Sequence, residues 1–423
     1  MPVRVLIASL FLVAACSNSS GKAGNWPRWR GPGGNAVSKA QPLPVLWDKT
    51  TNVGWSVPLT GEGSSSPIVW DRRVFATSAL DEGTRRVVHC LDRDSGRTVW
   101  QREIDDENPE FTSALTGHAA STPVTDGEHV VAFFGNAGIV CYDFDGRRLW
   151  RRRLGEFESE LGLASSPVLY RDLAIIVCDH DGDRFSSFES FLLALDVKTG
   201  GTRWKTGRRG LFRSWSTPIL VARADGGHEL IVNGQDELRG YNPENGEQLW
   251  AVRGMTGWVT PSPVFGKGLI FASSGKNGPT MAVRPGGRGD VTDTNVVWIE
   301  KRGAPYVCSP LFVGDHLYVH DEQGILTCYQ ATTGKVHYRT RLEGKFVASP
   351  VAGDSKLYLS NDAGVTFVIE VGDRYRLLAK NSLEEECLAS PAISGRDIFI
   401  RTRHHLHCFS AGSKSATEPF LRP

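Results

Sequence analysis

Apolar residues along this chain come in short runs broken by polar, glycine-rich stretches. Pro67-Ile68-Val69-Trp70 is followed by Val74-Phe75-Ala76-Thr77, and Leu311-Phe312-Val313 by Leu317-Tyr318-Val319. Runs of this length, rich in β-branched and aromatic residues, predict strands. No segment sustains a 3.6-residue apolar period for long, so helices should be few.

The runs recur in register. Ser66-Pro67, Thr122-Pro123, Ser166-Pro167, Thr217-Pro218, Ser262-Pro263, Ser309-Pro310, Ser349-Pro350 and Ser390-Pro391 each open a unit, at spacings of 40 to 56 residues. A second signature closes most units, as in Leu195-Asp196-Val197-Lys198-Thr199-Gly200 followed by Trp204. It reads as a hairpin: a strand ends at the Leu or Tyr, the Asx-to-Gly segment turns, and the next strand carries a large aromatic. Each unit therefore holds four strands. Eight such units predict an all-β fold, an eight-bladed β-propeller of four-stranded antiparallel blades.

The last unit runs out after three strands. Its missing strand stands at the other end of the chain, in Asn52 to Leu59, with Trp55 where the eighth aromatic belongs. This N-terminal strand should complete the last blade and close the ring. The domain reading is residues 1–16 as a lipoprotein-type signal peptide, 17–51 as tether and N-terminal extension, 52–412 as propeller and 413–423 as C-terminal tail. Trp55, Trp100, Trp150, Trp204, Trp250 and Trp298 are assigned to packing between blades, where a wide wedge needs a large filler. Blade five departs through the insertion Pro285 to Asp290, in which Arg288-Gly289-Asp290 reads as a turn. Blade seven has no Trp.

The first residues read as an export signal. Val5 to Ala15 is apolar and of signal-peptide length, and Leu12-Val13-Ala14-Ala15-Cys16 is similar to a bacterial lipobox. The expectation is lipidation at Cys16 and an outer-membrane lipoprotein facing the periplasm; the alternative is cleavage near Ala15 and a soluble periplasmic protein. A net charge of +1 with intermixed signs offers no footprint for nucleic acid. Cys90, Cys141, Cys328 and Cys408 hold equivalent places in different units, which argues against pairing with each other. No CxxC pair or zinc spacing occurs.

Candidate chemistry falls on one rim, where the loops before the first strand and between strands two and three converge. His118, Arg213, Trp215, Trp258, Lys276 and Tyr306 are the candidate ligand or partner residues, pairing aromatic surface with polar specificity. Asp179, Asp181 and Asp183 are weak calcium candidates, since hard oxygens alternate but no bidentate Glu or flanking helix follows. His405 and His407 share a strand face, too few ligands for a metal site. No nucleophile elbow, zincin motif or phosphate loop occurs, and no catalytic residue is assigned.

The Asp-x-x-Thr-Gly-x-x-x-Trp signature at Asp196 to Trp204 resembles the PQQ-like, quinoprotein-type propeller repeat over about Trp26 to Gly412. Trp26-Pro27-Arg28-Trp29-Arg30-Gly31-Pro32, Trp215-Ser216-Thr217-Pro218 and Leu388-Ala389-Ser390-Pro391 are further similar to planctomycete-type secreted or lipid-anchored propellers labelled BamB-like. The resemblance implies a non-catalytic envelope scaffold that binds envelope proteins as a monomeric propeller, held to the membrane by its lipid. One alternative is a PQQ-dependent quinoprotein dehydrogenase. Such enzymes use a Cys-Cys pair, bound Ca²⁺ and a catalytic Asp; this chain has no Cys-Cys pair, so neither PQQ nor Ca²⁺ is expected. The second alternative is a carbohydrate-binding propeller.

Overall fold

The computed structural model of the protein describes residues 24–157, 161–180, 189–208, 211 and 214–412. Eight sheets follow one another in chain order, seven of four strands and one of five. In blade one, Ile68–Trp70 is innermost, followed outward by Arg73–Leu80, Arg85–Asp92 and Thr98–Asp105. The innermost strands of neighbouring blades touch, and Ile68–Trp70 meets Ala392–Ser394 of blade eight, which closes the ring. Val53–Pro58 pairs antiparallel with His405–Ser410, Trp55 opposite Cys408, so the N-terminal strand completes the last blade as expected. Among the described residues the only α-helix is the single turn Thr292–Asn295.

The repeated turn signature has a direct structural cause. The Trp150 indole donates to the carbonyl of Val197 at 2.8 Å, in the turn of the following blade. Its ring lies on Gly200, where a Cβ would come within 2.7 Å of it and where φ is +70°. Glycine is thus needed twice, for the backbone conformation and for the ring. Trp55, Trp100, Trp204 and Trp298 donate in the same way to Arg93, Phe144, Pro243 and Ala331, at 2.7 to 3.1 Å. Trp250 departs, because blade five replaces this turn with its insertion. The Trp250 indole donates instead to Glu229 Oε2 at 2.9 Å, which also accepts from Gly286 N. The Arg288-Gly289-Asp290 segment is not a simple turn. Gly289–Asp290 is a short strand, parallel to Gln248–Arg253, and it covers the outer edge of blade four.

From residue 24 onward the N-terminal extension is laid across the ring. Trp26 bridges to Val69 of blade one, and Thr125 N of blade two donates to the Pro27 carbonyl. Arg28 Nη2 reaches the carbonyl of Pro218 in blade four at 2.8 Å, and Arg30 Nη2 that of Pro310 in blade six at 2.5 Å. Asn35 pairs with Phe265 of blade five and Ser38 with Ala352 of blade seven. Ser394 Oγ of blade eight donates to the Gly24 carbonyl at 2.6 Å, so the segment touches seven blades and plugs the channel. Burial pushes the Arg28 and Arg30 guanidinium groups down to about 10 and about 9. Further on, Trp47 stacks on Phe409 of blade eight at 5.3 Å and packs near Tyr358 of blade seven at 6.1 Å.

A candidate functional site at the mouth of the channel

Each Ser/Thr-Pro pair lies beside the channel, and the hydroxyls join the blades. The backbone N–H of Ser66 donates to Thr122 Oγ1, that of Thr122 to Ser166 Oγ, that of Ser166 to Thr217 Oγ1, and so on through Ser262, Ser309, Ser349 and Ser390, at 2.8 to 2.9 Å. The proline that follows has no N–H to satisfy, which suits the first residue of an inner strand. Seven of eight joints are tied in this way. At the eighth, between Ser390 and Ser66, no such bond forms among the described residues. There Arg401 of blade eight spans the seam, donating through Nη1 to Ser65 Oγ at 2.6 Å and to the Thr77 carbonyl.

Above the plug a cavity of about 110 Å³ opens toward the rim. Trp29 of the plug lines it together with the hydroxyl girdle, and Leu115, Trp215, Tyr306, Val347 and Leu388 are also on its wall. Trp215 is buried, and its indole donates to the Gly162 carbonyl at 2.6 Å. It stacks on Trp258, centroids 6.0 Å apart at 23°, and Trp258 meets Tyr306 edge-on at 6.3 Å. The ammonium of Lys276 lies over both of the latter rings, 4.2 Å from Trp258 and 5.1 Å from Tyr306. Four residues picked from separate loops therefore form one cluster, built by blades four, five and six.

The backbone under this cluster is strained. Trp258, Lys276 and Asn277 have φ of +65°, +46° and +66°, which is unusual for residues other than glycine. The loops hold each other there. Thr256 N donates to Ser274 Oγ at 3.0 Å, Asn277 N to the Ala304 carbonyl, and Gly303 N to Asn277 Oδ1 at 2.8 Å.

The remaining candidates lie elsewhere. His118 is half-buried in a separate cavity of about 520 Å³ at the seam of blades eight and one, together with Arg401, Arg403 and Glu62. Its Nε2 is 3.0 Å from the Glu110 carbonyl oxygen. Asp179 is fully buried and committed: Arg208 Nε and Nη2 donate to its two oxygens at 2.8 and 3.0 Å, and Nη1 donates to the Tyr241 hydroxyl. Cys16, Asp181, Asp183 and Arg213 lie outside the described residues. His405 pairs with Glu385 at 2.8 Å and His407 stacks on Phe409. Among the described residues no group of three or more His, Cys, Asp or Glu is arranged to hold a metal ion. The seven described cysteines are free and buried; burial pushes the Cys90 and Cys141 thiols up to about 12.

Trp29, Leu115 and Leu388 were not among the residues picked from sequence. The Trp26 to Arg30 stretch carried a usable signal, alternating aromatic and basic residues ahead of the first blade. The hydroxyl girdle was visible only as a repeat marker.

Ring closure, turn signature and blade count define a β-propeller built of quinoprotein-type repeats. The chain belongs to the family described as outer membrane protein assembly factor BamB, whose model matches residues 84–304 and 289–384. It is 21% identical over 352 residues to the outer membrane protein assembly factor BamB of Moranella endobia, across 79% of this chain and 82% of that one. Among solved structures it is similar to BamB from Moraxella catarrhalis, with a TM-score of 0.62 and 11% identity over 85% of this chain and 97% of that one. It is also similar to the quinohemoprotein alcohol dehydrogenase of Comamonas testosteroni, with a TM-score of 0.70 and 11% identity over 95% and 82%. At these identities the likeness to solved structures is one of fold.

Proposed function

We propose that the chain is a non-catalytic scaffold of the cell envelope that binds another envelope protein through the channel mouth, in the assembly of outer-membrane proteins. The observation that carries this reading is the rigid aromatic cluster of Trp215, Trp258 and Tyr306, set on strained, mutually bonded backbone at the open end of a plugged ring. Aromatic anchors held in place before binding are the usual centre of a protein interface. The name of the family and of the Moranella endobia relative supports the process. Anchoring through Cys16 belongs to the same proposal.

On this reading the residues at the channel mouth are not those of a quinone site. The cavity of about 110 Å³ is well below the roughly 300 Å³ at which ligand pockets begin. Trp29 lines it from the plug, the sequence has no adjacent cysteines, and Asp179 is held by Arg208. No chemical step is therefore assigned to PQQ or Ca²⁺ here.

Affinity capture from envelope membranes, with the full chain and with Cys16→Ala, tests the reading. The expected result is recovery of an outer-membrane assembly component by the full chain and movement of Cys16→Ala into the soluble fraction. Capture of no envelope protein overturns it. So does turnover of alcohols with an artificial acceptor once PQQ and Ca²⁺ are added.

A further inference from the structure

We infer that the mouth receives an acidic segment of the partner, which inserts one apolar side chain beside Trp215 and Tyr306. The inference rests on the scaffold reading and adds the chemistry of what binds. Three observations carry it.

The first is the size and lining of the cavity. About 110 Å³ is room for one aliphatic side chain, and the wall is largely apolar: Trp29, Leu115, Trp215, Tyr306, Val347 and Leu388. The girdle hydroxyls below already accept backbone N–H groups, so they have less to offer a polar visitor.

The second is charge. Lys276, Lys301, Arg302 and Lys345 are exposed on the loops of blades five to seven that surround the cluster. Among the described residues none of the four has a carboxylate within 4 Å. Across the mouth, at the seam of blades eight and one, the exposed charges are mainly acidic: Glu62, Asp81, Glu82 and Glu386, with Arg403 bridging Glu62 and Glu386. Glu343, Asp321, Glu322 and Asp362 stand on the loops of blades six and seven, so the positive excess is at blade five, where Lys276, Lys301 and Arg302 have no acidic residue in their loops; a segment carrying carboxylates would be drawn there and kept from the seam.

The third is position. The Lys276 ammonium lies over two rings of the same cluster whose Tyr306 and Trp215 line the cavity. A carboxylate next to the inserted side chain would meet that ammonium while its neighbour fills the cavity. The strained turns at Trp258, Lys276 and Asn277 hold this arrangement ready.

The test uses the full chain and short blocked peptides, with tryptophan fluorescence as the readout. The peptide with leucine between two aspartates should give a saturable change. Replacing leucine by serine, or the aspartates by lysines, should weaken binding about tenfold or more. Lys276→Glu and Arg302→Glu should each weaken the acidic peptide, more so at low salt, while Lys198→Glu, on a turn at the opposite rim, should not. Equal binding of the basic peptide, no effect of Lys276→Glu, or no saturable change up to about 1 mM overturns the inference. Tight binding of anionic lipid vesicles or of soluble glycans, with none of the peptide, does so too. Full envelope capture by Lys276→Glu leaves the scaffold reading standing and this site refuted; peptide binding without any envelope capture does the reverse.

Discussion

The indole of Trp204 donates to the carbonyl of Pro243, 3.1 Å away in the next blade. The same side chain is 8% exposed and lies against Gly246 in that turn. One residue thus fills the wedge between blades and ties them by a directed bond. Replacement by alanine should cost about 3–5 kcal/mol, the usual range for emptying a buried aromatic site. Trp204→Phe keeps most of the filling and loses the bond, for roughly 1 kcal/mol. Urea midpoints of the two variants check both figures; equal losses would mean that the bond, not the filling, holds the joint.

Blade seven breaks the pattern, and the N-terminal extension repairs it. Ala379 stands opposite Val368 where Trp298 stands opposite Ala282 in blade five. Trp47 arrives from outside the repeats and fills the joint between blades seven and eight, stacked on Phe409 and close to Tyr358. Its backbone is fixed by Trp47 N donating to Asn381 Oδ1 at 3.0 Å. Trp47→Ala should therefore loosen this joint selectively. Amide exchange should quicken in Leu377–Ser382 and His405–Ser410 and stay unchanged in blades two and three. Uniform quickening around the ring would count against the assignment.

What the sequence made legible follows from what repeats. The Trp lock is copied with local spacing, so Asp196 to Trp204 displayed both halves of it, and the missing outer strand of blade eight pointed to Trp55. Trp215, Trp258, Tyr306 and Lys276 could be picked because equivalent loops of adjacent blades share a rim. What does not repeat was opaque. Trp29 and Trp47 belong to a segment outside the repeats, and its contacts lie up to 370 residues away in sequence. The girdle was seen as Ser/Thr-Pro pairs, yet the partner of Ser66 is Thr122, 56 residues on, and no local pattern encodes that bond. His118 shares the rim but sits at the seam, because the loop position alone does not say which cavity it faces.

Three histidines, His89 and His320 buried and His407 half-buried, make stability depend on pH. Burial pushes His89 and His320 down to about 3, with the Arg401 and Arg30 guanidinium groups respectively adding to the effect and backbone hydrogen bonding opposing it. Burial also takes His407 down to about 4, where Glu385 opposes and His405 assists. Each folded value lies below the ordinary 6.5, so the unfolded chain binds more protons between the two values. Stability from these groups is whole above about pH 6.5 and falls as the pH drops toward 4. Each histidine contributes up to about 1.4 kcal/mol per pH unit in that window. Urea midpoints of the full chain should fall steadily from pH 6.5 to 4, and His320→Leu should flatten the fall. An unchanged slope in His320→Leu would remove His320 from the account.

The gap in the hydroxyl girdle supplies its own control. Ser262 Oγ accepts the Thr217 N–H at 2.8 Å, in a site closed to water on both sides. Ser262→Ala strands that donor, and a buried backbone N–H without a partner costs about 1–3 kcal/mol. Ser66 occupies the equivalent place in blade one, but its hydroxyl receives no N–H from Ser390, and Arg401 holds the seam through Ser65 instead. Ser66→Ala should therefore cost clearly less, although both substitutions remove one buried hydroxyl from equivalent positions of two repeats. Thermal unfolding of the two variants side by side decides the matter. Equal losses would show that the hydroxyls act by filling space, and a larger loss at Ser262 that they act by tying each blade to the next.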